Sequence, residues 1–289
     1  MIKKFLGIAP KQEEDGSYSP SPLALKMATS STTDYDLTDH PLPPESGKRK
    51  ILMLCTEEKH LTMKNGRQFS TGNHPVEMLV PLLHFRHAGF ETDVYTPTGQ
   101  SVKMEMWAFP DKDEAVKEIF EMYTPKLNQP KSLSDFVNGD MKRNEEYLAV
   151  FIPGGHGALL GLPDSKDVGK LVKWTHAKDL LMLAICHGPA AFLSAGLDES
   201  SEDFIYRGYK MAAFPDSIDE KTPMMGYMPG HVPWKFGEKL KERGVEIVNK
   251  MADKTCHTDR NLITGASPLA ANDFGKMAAK ALLEKESER

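Results

Sequence analysis

The 289-residue sequence predicts an α/β fold in which helices cover both faces of a parallel sheet. Short apolar runs, such as ILMLCT at 51–56 and YLAVFIPGG at 147–155, are typical of strands buried on both faces. Stretches with helical spacing separate these runs, as at 74–88, where Gly89 ends the predicted helix. Folds of this class place their chemistry at the carboxyl ends of the strands.

The alternation continues along most of the chain. Hydrophobic spacing predicts strands at 51–56, 90–97, 147–155, 180–186, 208–214, 245–249 and 261–267. It predicts helices at 74–88, from an Asp164 cap to His176, at 188–196, at 231–244 and from Pro268 to the C-terminus.

Two segments read differently from the alternating pattern. Residues 1–47 are rich in Pro, Ser and Asp, which predicts an irregular extension wrapped over a core. Residues 100–146 are rich in Met, Trp, Pro and Lys and are mostly helical in pattern, which indicates an insertion outside the sheet. We therefore expect a catalytic core made of 48–99 and 147–289, and a small domain made of the extension and the insertion.

Composition narrows the classes of function. The formal charge of −5 comes without any block of basic residues, so nucleic acid is not an expected partner. No stretch approaches the roughly 18 apolar residues of a membrane span, and the N-terminal apolar run is too short for a secretory signal. Three cysteines without framework spacing indicate free thiols in the cytoplasm.

The strongest chemical signal is LLMLAICHGPAAFLSAG. An apolar strand leads directly to Cys186, and small residues after it allow a helix to begin tightly behind the turn. This is the pattern of a nucleophile elbow with cysteine in place of serine, and a helix N-terminus at the sulfur favours the thiolate. Cys55 is expected in the core and Cys256 in a loop, since most cysteines are structural.

Two further motifs follow other predicted strands. PGGHGALLGLP leaves backbone N–H groups open, so the amides of Gly155 and His187 could form an oxyanion hole if the loop lies beside Cys186. STGNHPVE places Glu77 in the first turns of a helix. There it is either a dipole-compensating residue or a carboxyl that moves protons beside the sulfur.

These motifs, together with AAFPDSIDEKTP and GYMPGH, resemble the HchA-type heat-shock chaperones, also described as glyoxalase III and protein deglycases. That family belongs to the class I glutamine amidotransferase-like superfamily, which includes the PfpI proteases. The resemblance runs from about Lys50 to the C-terminal helix and implies a flavodoxin-like core, a small extra domain and a homodimer.

The resemblance assigns roles residue by residue. It implies Cys186 as nucleophile, His187 as its partner, Asp219 as the acid of the triad, and Glu77 as the carboxyl at the sulfur. Asp216, in the same stretch as Asp219, is read as a turn residue.

Some members bind zinc through two histidines and a carboxylate, and the matching positions here are Arg86, Glu91 and Tyr123. Arginine does not give up its proton to a metal, so Glu91 is the only one of the three that matches a zinc ligand. No zinc site of that kind is expected, and no other cofactor is expected either.

The implied activity is conversion of methylglyoxal to lactate without glutathione, together with deglycation of proteins and nucleotides. The partners would be small reactive dicarbonyls and glycated proteins. A cysteine peptidase or amidase stays open as the alternative, and an amidotransferase is disfavoured because no synthase domain is visible. A concurrent holdase role toward unfolded client proteins stays open too, with an apolar patch from Met104, Met106, Trp107 and Met122.

Overall fold

A computed structural model of the protein describes residues 7–37, 49–139 and 141–288. The described strands are β1 (Lys11–Gln12), β2 (Tyr18–Ser19), β3 (Lys50–Leu54), β4 (His60–Thr62), β5 (Gln68–Ser70), β6 (Glu91–Thr96), β7 (Lys131–Ser132), β8 (Tyr147–Ile152), β9 (Leu181–Ile185), β10 (Lys210–Met211), β11 (Glu246–Ile247), β12 (Cys256–Asp259) and β13 (Leu262–Gly265).

The described α-helices are α1 (Pro22–Ala28), α2 (Pro75–His87), α3 (Glu114–Asn128), α4 (Leu133–Asn138), α5 (Lys166–Ala177), α6 (Asp216–Asp219), α7 (Phe236–Glu242) and α8 (Ala271–Ser287). Short 3₁₀ segments lie at Met106–Ala108, Met141–Arg143, His156–Leu159, Gly188–Gly196 and Pro268–Ala270.

The central sheet has seven strands in the order β12-β13-β9-β8-β3-β6-β7, and every pairing but β12–β13 is parallel. Successive side chains of a strand point to opposite faces, so the sheet separates two apolar cores. Helices α2, α3 and α8 cover one face, and α5 and α7 cover the other. The predicted α/β class with a parallel sheet between helices is therefore confirmed.

The chain order places a topological switch beside the centre of the sheet. From β3 the chain passes to β6 on one side and later returns to β8 on the other side. The carboxyl ends of β3, β8 and β9 thus open onto the same edge, where α/β folds bind their ligands.

Several predicted elements differ from the structure. The α5 cap is Ser165, whose side chain accepts the N–H of Val168, and Asp164 precedes it. The predicted strands 208–214 and 245–249 shrink to β10 and β11, a separate two-stranded sheet. Side-chain oxygens of Thr264 and Asn249 take the N–H groups of Ala212 and Ala213, which therefore cannot extend a ladder.

Three other differences concern the edges of the fold. Cys256 begins strand β12 and does not lie in a loop, because the chain turns back at Arg260 (φ 57°) to pair with β13. Strand β7 belongs to the segment 100–146, which was expected outside the sheet, and extends the sheet beside β6. The predicted helix 231–244 begins only at Phe236, where Asp216 accepts the N–H groups of Gly237 and Glu238.

The N-terminal segment crosses the end of the sheet where the switch lies. Strands β1 and β2 join β5 and β4 in a four-stranded sheet, so the segment pairs with 60–70. It also reaches the segment 100–146, since the Thr33 hydroxyl donates to Asp113 (2.6 Å). The division into a core and a small domain remains a proposal. Of the extension, residues 1–6 and 38–47 lie outside the described residues.

Among the described residues, no helix combines the length and apolar character needed to cross a membrane.

Candidate active site

Cys186 lies in a sharp turn directly after β9. Its φ angle is 60°, in the left-handed region that residues with a side chain rarely adopt. The N–H of Cys186 donates to the carbonyl of Gly265 (2.8 Å), and the N–H of Phe214 donates to the Cys186 carbonyl (2.9 Å). A strained residue that its surroundings hold at the end of a strand is typical of a nucleophile elbow.

Glycines after β8 let the backbone lie against this turn. A Cβ atom on Gly154 would stand 2.7 Å from the Cβ of Cys186 and 2.2 Å from a carboxylate oxygen of Glu77. Gly155 has φ 97°, and a Cβ there would stand 2.4 Å from the carbonyl oxygen of Gly72. The N–H of Gly155 faces both the thiol and the Glu77 carboxyl. Only glycine permits this approach.

A chain of hydrogen bonds runs from the sulfur to a buried carboxylate. Cys186 Sγ lies 3.2 Å from Nδ1 of His187, and Nε2 of the same ring lies 2.9 Å from Oδ2 of Asp219, on α6. The carboxylate accepts, so Nε2 carries the proton and the lone pair of Nδ1 faces the thiol. The structure thus brings Cys186, His187 and Asp219 together in the order and at the distances that a nucleophile, a base and an orienting acid would need.

Glu77 contacts the thiol as well. It stands in the first turn of α2 and is fully buried. Its carboxyl lies beside the Cys186 thiol and the N–H of Gly155, although neither of its oxygens makes a hydrogen bond of standard geometry. Burial raises the pKa of Glu77 to about 8, against the smaller opposing effect of these contacts. The N–H of His74, the cap residue of α2, donates to the Gly154 carbonyl, so Glu77 does not form a capping box there.

The ionisation of Cys186 differs from the sequence prediction. Burial and the Glu77 carboxylate raise the pKa of the thiol well above its usual value. The segment behind the cysteine, Gly188–Gly196, is a 3₁₀ turn sequence and not an α-helix, so it supplies a weaker dipole than expected. The resting sulfur is therefore a thiol, with His187 ready to accept its proton.

Two residues that the sequence reasoning missed complete the site. His156 Nε2 lies 3.0 Å from Oδ1 of Asp219, and its Nδ1 lies 3.5 Å from Oε1 of Glu105. The same Glu105 oxygen accepts the backbone N–H of His156 (3.1 Å) and the Thr71 hydroxyl (2.8 Å). His156 stands in the glycine motif and could have been suspected there. Glu105 lies in the segment 100–146 and carries no local signal.

The two neighbouring carboxylates determine the protonation state of His156. Burial by itself would lower the pKa of His156, but Asp219 and Glu105 outweigh it and raise that pKa to about 10. The pKa values of both carboxyls are lowered despite burial, because the imidazoles stabilise their charge. Asp219, His156 and Glu105 thus form a buried ion cluster of alternating sign.

One cavity of about 290 Å³ is lined by Cys186, His187, Glu77, His156 and Glu105, whereas Asp219 is not among its lining residues. Its polar members are His74, Glu77, Glu105, His156, Cys186, His187, Thr222, Tyr227 and Ser267. The larger apolar side chains at its walls and mouth are Met27, Phe214, Ile218, Met225, Pro268 and Leu269. Burial lowers the pKa of His74 to about 4, so this imidazole is neutral at pH 7. The cavity thus has room for a small molecule beside the Cys186 thiol.

Metal binding has two candidate places among the described residues. The ligand atoms of His156, His187 and Asp219 lie within 4.8 Å of one another, but Nε2 of each histidine is already hydrogen-bonded to an oxygen of Asp219. Around Tyr123, on α3, the charges of Arg86 and Glu91 both act on the phenol. A guanidinium and a phenol beside one carboxylate make a poor zinc ligand set. The absence of zinc there stays a prediction.

The fold and the site define a class: α/β proteins with a strained cysteine at the end of a central strand. The sequence pattern of the DJ-1/PfpI family matches residues 69–210, and the chain belongs to this family. The resemblance read from the motifs is thereby confirmed, and so is the conclusion that the protein is an enzyme.

Particular relatives cover almost the whole chain. The Protein/nucleic acid deglycase HchA of Pseudomonas aeruginosa (strain UCBPP-PA14) is 48% identical over 276 residues, which span 95% of this chain and 94% of that protein. The protein of the same name from Escherichia coli O157:H7 (strain EC4115 / EHEC) is 46% identical over 270 residues, 93% of each chain. The crystal structure of glyoxalase III from Candida albicans is 26% identical with a TM-score of 0.61, covering 80% of this chain and 97% of that one.

The raised pKa of Glu77 predicts a pH dependence of stability. Between the unfolded pKa of about 4.3 and the folded pKa of about 8, the folded protein keeps a proton that the unfolded chain releases. The free energy of unfolding therefore falls as the pH rises through this window. Glu77→Gln removes this dependence. The free energy of unfolding of the variant minus that of wild type should therefore be about 1–3 kcal/mol larger at pH 7.5 than at pH 5. Urea unfolding at both pH values measures it.

The matched control is Glu118→Gln, a change on the exposed face of α3. Its stability difference from wild type should be the same at both pH values. A Glu77→Gln difference that is equally constant would mean that the folded protein holds Glu77 ionised.

Proposed function

We propose that this enzyme converts methylglyoxal to lactate without glutathione and uses the same cysteine as a deglycase of proteins and nucleotides. The observation that carries the proposal is the double contact of the Cys186 thiol. A neutral imidazole, His187, lies 3.2 Å from the sulfur, and Glu77, with a pKa of about 8, touches it as well. The relatives named deglycase and glyoxalase III support the same reaction class.

The first step is addition to the aldehyde. The Cys186 sulfur bonds to the aldehyde carbon, and Nδ1 of His187 takes the thiol proton while Asp219 holds the other ring nitrogen. Negative charge develops on the aldehyde oxygen, which the N–H groups of Gly155 and His187 would stabilise. Return of the proton to this oxygen gives a hemithioacetal.

The second step moves a proton between neighbouring carbons. A base removes the hydrogen from the former aldehyde carbon, and a proton is delivered to the adjacent carbonyl carbon. The hemithioacetal becomes a thioester of lactic acid, with no change in overall composition. The pKa of about 8 allows Glu77 to act as acid and as base near neutral pH. We assign the transfer to Glu77, with His187 as the other candidate.

The third step is hydrolysis. Water attacks the thioester carbon, the carbon–sulfur bond breaks, and the sulfur takes back its proton as lactate leaves. For deglycation, the same sulfur would attack the early adduct that a dicarbonyl forms with Lys, Arg or Cys side chains or with a base. As the new carbon–sulfur bond forms, the bond from the same carbon to the nitrogen or sulfur of the adduct breaks, and the released amine, guanidine or thiol takes up the Cys186 proton. The hemithioacetal that remains has an adjacent carbonyl, so the same proton transfer and hydrolysis follow.

A cysteine peptidase or amidase is the alternative, because the same triad would attack an amide. The pKa of about 8 at Glu77 favours the isomerisation, since amide hydrolysis needs no second carboxyl at the sulfur.

We also propose a cytoplasmic location, because the three cysteines are free. We propose a homodimer as well, as the family resemblance implies.

Cys186→Ala should reduce lactate formation from methylglyoxal by at least about 10⁴-fold, because no other group of the cavity can replace the nucleophile. The fold should persist, since the change removes only one sulfur atom at the edge of a cavity. A lactate assay and circular dichroism on the same sample measure both. Activity within tenfold of wild type would remove the cysteine from the mechanism, and wild-type cleavage of amide substrates without lactate formation would favour the peptidase.

Glu77→Gln should lower turnover by roughly 10²–10⁴ if its carboxyl moves the substrate proton. Addition needs only the sulfur and its base, so the variant should still react with iodoacetamide at Cys186 while producing almost no lactate. His187→Gln serves as the parallel variant and should lose alkylation as well as lactate. A Glu77→Gln protein with wild-type turnover would return this residue to a structural role.

We further propose a weak holdase activity toward unfolded client proteins. Of the four residues expected to form the apolar patch, Met106 and Met122 are exposed, whereas Met104 and Trp107 are half-buried against the cores. A second group of exposed apolar side chains includes three that line the cavity, Met27, Met225 and Leu269. Met224 and Met251 are exposed too and are sequence neighbours of the lining residues Met225 and Ala252. Such patches favour contact with unfolded chains.

This holdase activity should reduce the light scattering of a heated client protein. Cys186→Ala should be as effective as wild type, because the exposed apolar patches do not include Cys186. Replacing Met224 and Met225 by Ser should weaken the effect several-fold. Scattering that is unchanged by wild-type protein at a tenfold excess would exclude the role.

A further inference from the structure

We propose that His156 is a positioning residue of this site: as an imidazolium between Asp219 and Glu105, it fixes the Asp219 carboxylate and repels a second proton from His187. The reaction it serves rests on the proposed function. The inference itself concerns the state of two imidazoles and one thiol, which can be measured without a substrate.

The hydrogen bonds of Asp219 show how its carboxylate is fixed. Oδ2 accepts from His187 at 2.9 Å, and Oδ1 accepts from His156 at 3.0 Å. Each oxygen thus has its own imidazole, and rotation of the carboxylate would break both bonds. His156 is fixed in turn by Glu105, which accepts its backbone N–H and lies beside Nδ1. All four residues are at least 95% buried, so water does not compete for these bonds.

The two imidazole rings lie very close together. Their centroids are 4.2 Å apart, with 44° between the ring planes. In a buried site a positive charge at this distance strongly disfavours a second one. Burial lowers the pKa of His187, and the charge of His156 lowers it further, against the opposing effect of Asp219. His187 is therefore kept neutral, which is the form that accepts the thiol proton.

The other titratable groups around the rings enter the same balance. Those that face His156 or His187 are His74, Glu77, Glu105, Cys186, Asp219 and Tyr227. His74 is neutral at pH 7, and the phenol and thiol are neutral as well. The charges that remain near neutral pH are those of the ion cluster, with Glu77 mostly protonated.

The ion cluster predicts that two substitutions shift the pH at which His187 and Cys186 lose their protons in opposite directions. His156→Gln removes the cation, so His187 and Cys186 both hold their protons to higher pH. Glu105→Gln removes an anion while its amide oxygen still accepts from Thr71 and from the backbone of His156. Both protons are then lost at lower pH, provided that His156 stays charged between its neighbours.

The experiment follows the alkylation of Cys186 by iodoacetamide between pH 5 and 11, because the pKa of the buried thiol is raised above its usual value. The modified residue is identified by mass spectrometry. The midpoint of the acid limb should move up by about one pH unit or more in His156→Gln. In Glu105→Gln it should move down. The control is His84→Gln, another fully buried histidine hydrogen-bonded to a polar partner, Asn272 (2.9 Å), which should not move the midpoint.

Imidazole nitrogen NMR on the wild-type protein gives a second measurement that needs no stable variant for its main result. His156 should be doubly protonated and His187 singly protonated at pH 7. A neutral His156, or midpoints that move in the same direction or not at all, would overturn the proposal. Opposite shifts in alkylation together with no lactate formation by wild type would support the ion cluster and reject the proposed function.

Discussion

The site depends on how closely two strand ends approach each other. The chain after β8 passes so near the turn after β9 that a Cβ on Gly154 would meet the Cβ of Cys186 and the carboxyl of Glu77 at less than 3 Å. This approach holds Cys186 in a left-handed conformation and brings the N–H of Gly155 to its sulfur. The position of every other group at the sulfur follows from it, because each is anchored to one of these strand ends or packed against them.

Burial determines the protonation states of the groups around the sulfur. A cysteine, a glutamate and a histidine that are almost inaccessible to water prefer their neutral forms, so proton transfer among them requires little change of charge. The charges that do persist lie one layer deeper and alternate in sign through Asp219 and His156. The groups nearest the sulfur, Glu77 and His187, are thus neutral, and the charged groups stand next to them. The two hydrogen bonds of Asp219 join His187 to the charged His156.

The surroundings of the cavity combine parts of the chain that are distant in sequence. The N-terminal segment contributes Met27 from α1, the segment 100–146 contributes Glu105, and the C-terminal part contributes Leu269. The buried lining residues are polar and the exposed ones are apolar, an arrangement compatible with the small carbonyl compounds and adduct-bearing side chains that we propose as substrates. The two segments outside the alternating pattern therefore add side chains to a cavity that the catalytic core otherwise forms.

The sequence by itself determined the α/β class, the family and the cysteine turn, because strand periodicity, long motifs and a strand–Cys–Gly turn are local features of the chain. Tertiary structure alone decided which strands joined the sheet, since side chains of Thr264 and Asn249 compete with the ladder at 208–214. It also decided the role of Glu105, which accepts the backbone N–H of His156, a residue 51 positions further along the chain. The thiol state of Cys186 depends on burial and on Glu77, and neither can be read from neighbours in sequence, because desolvation is a property of the folded interior.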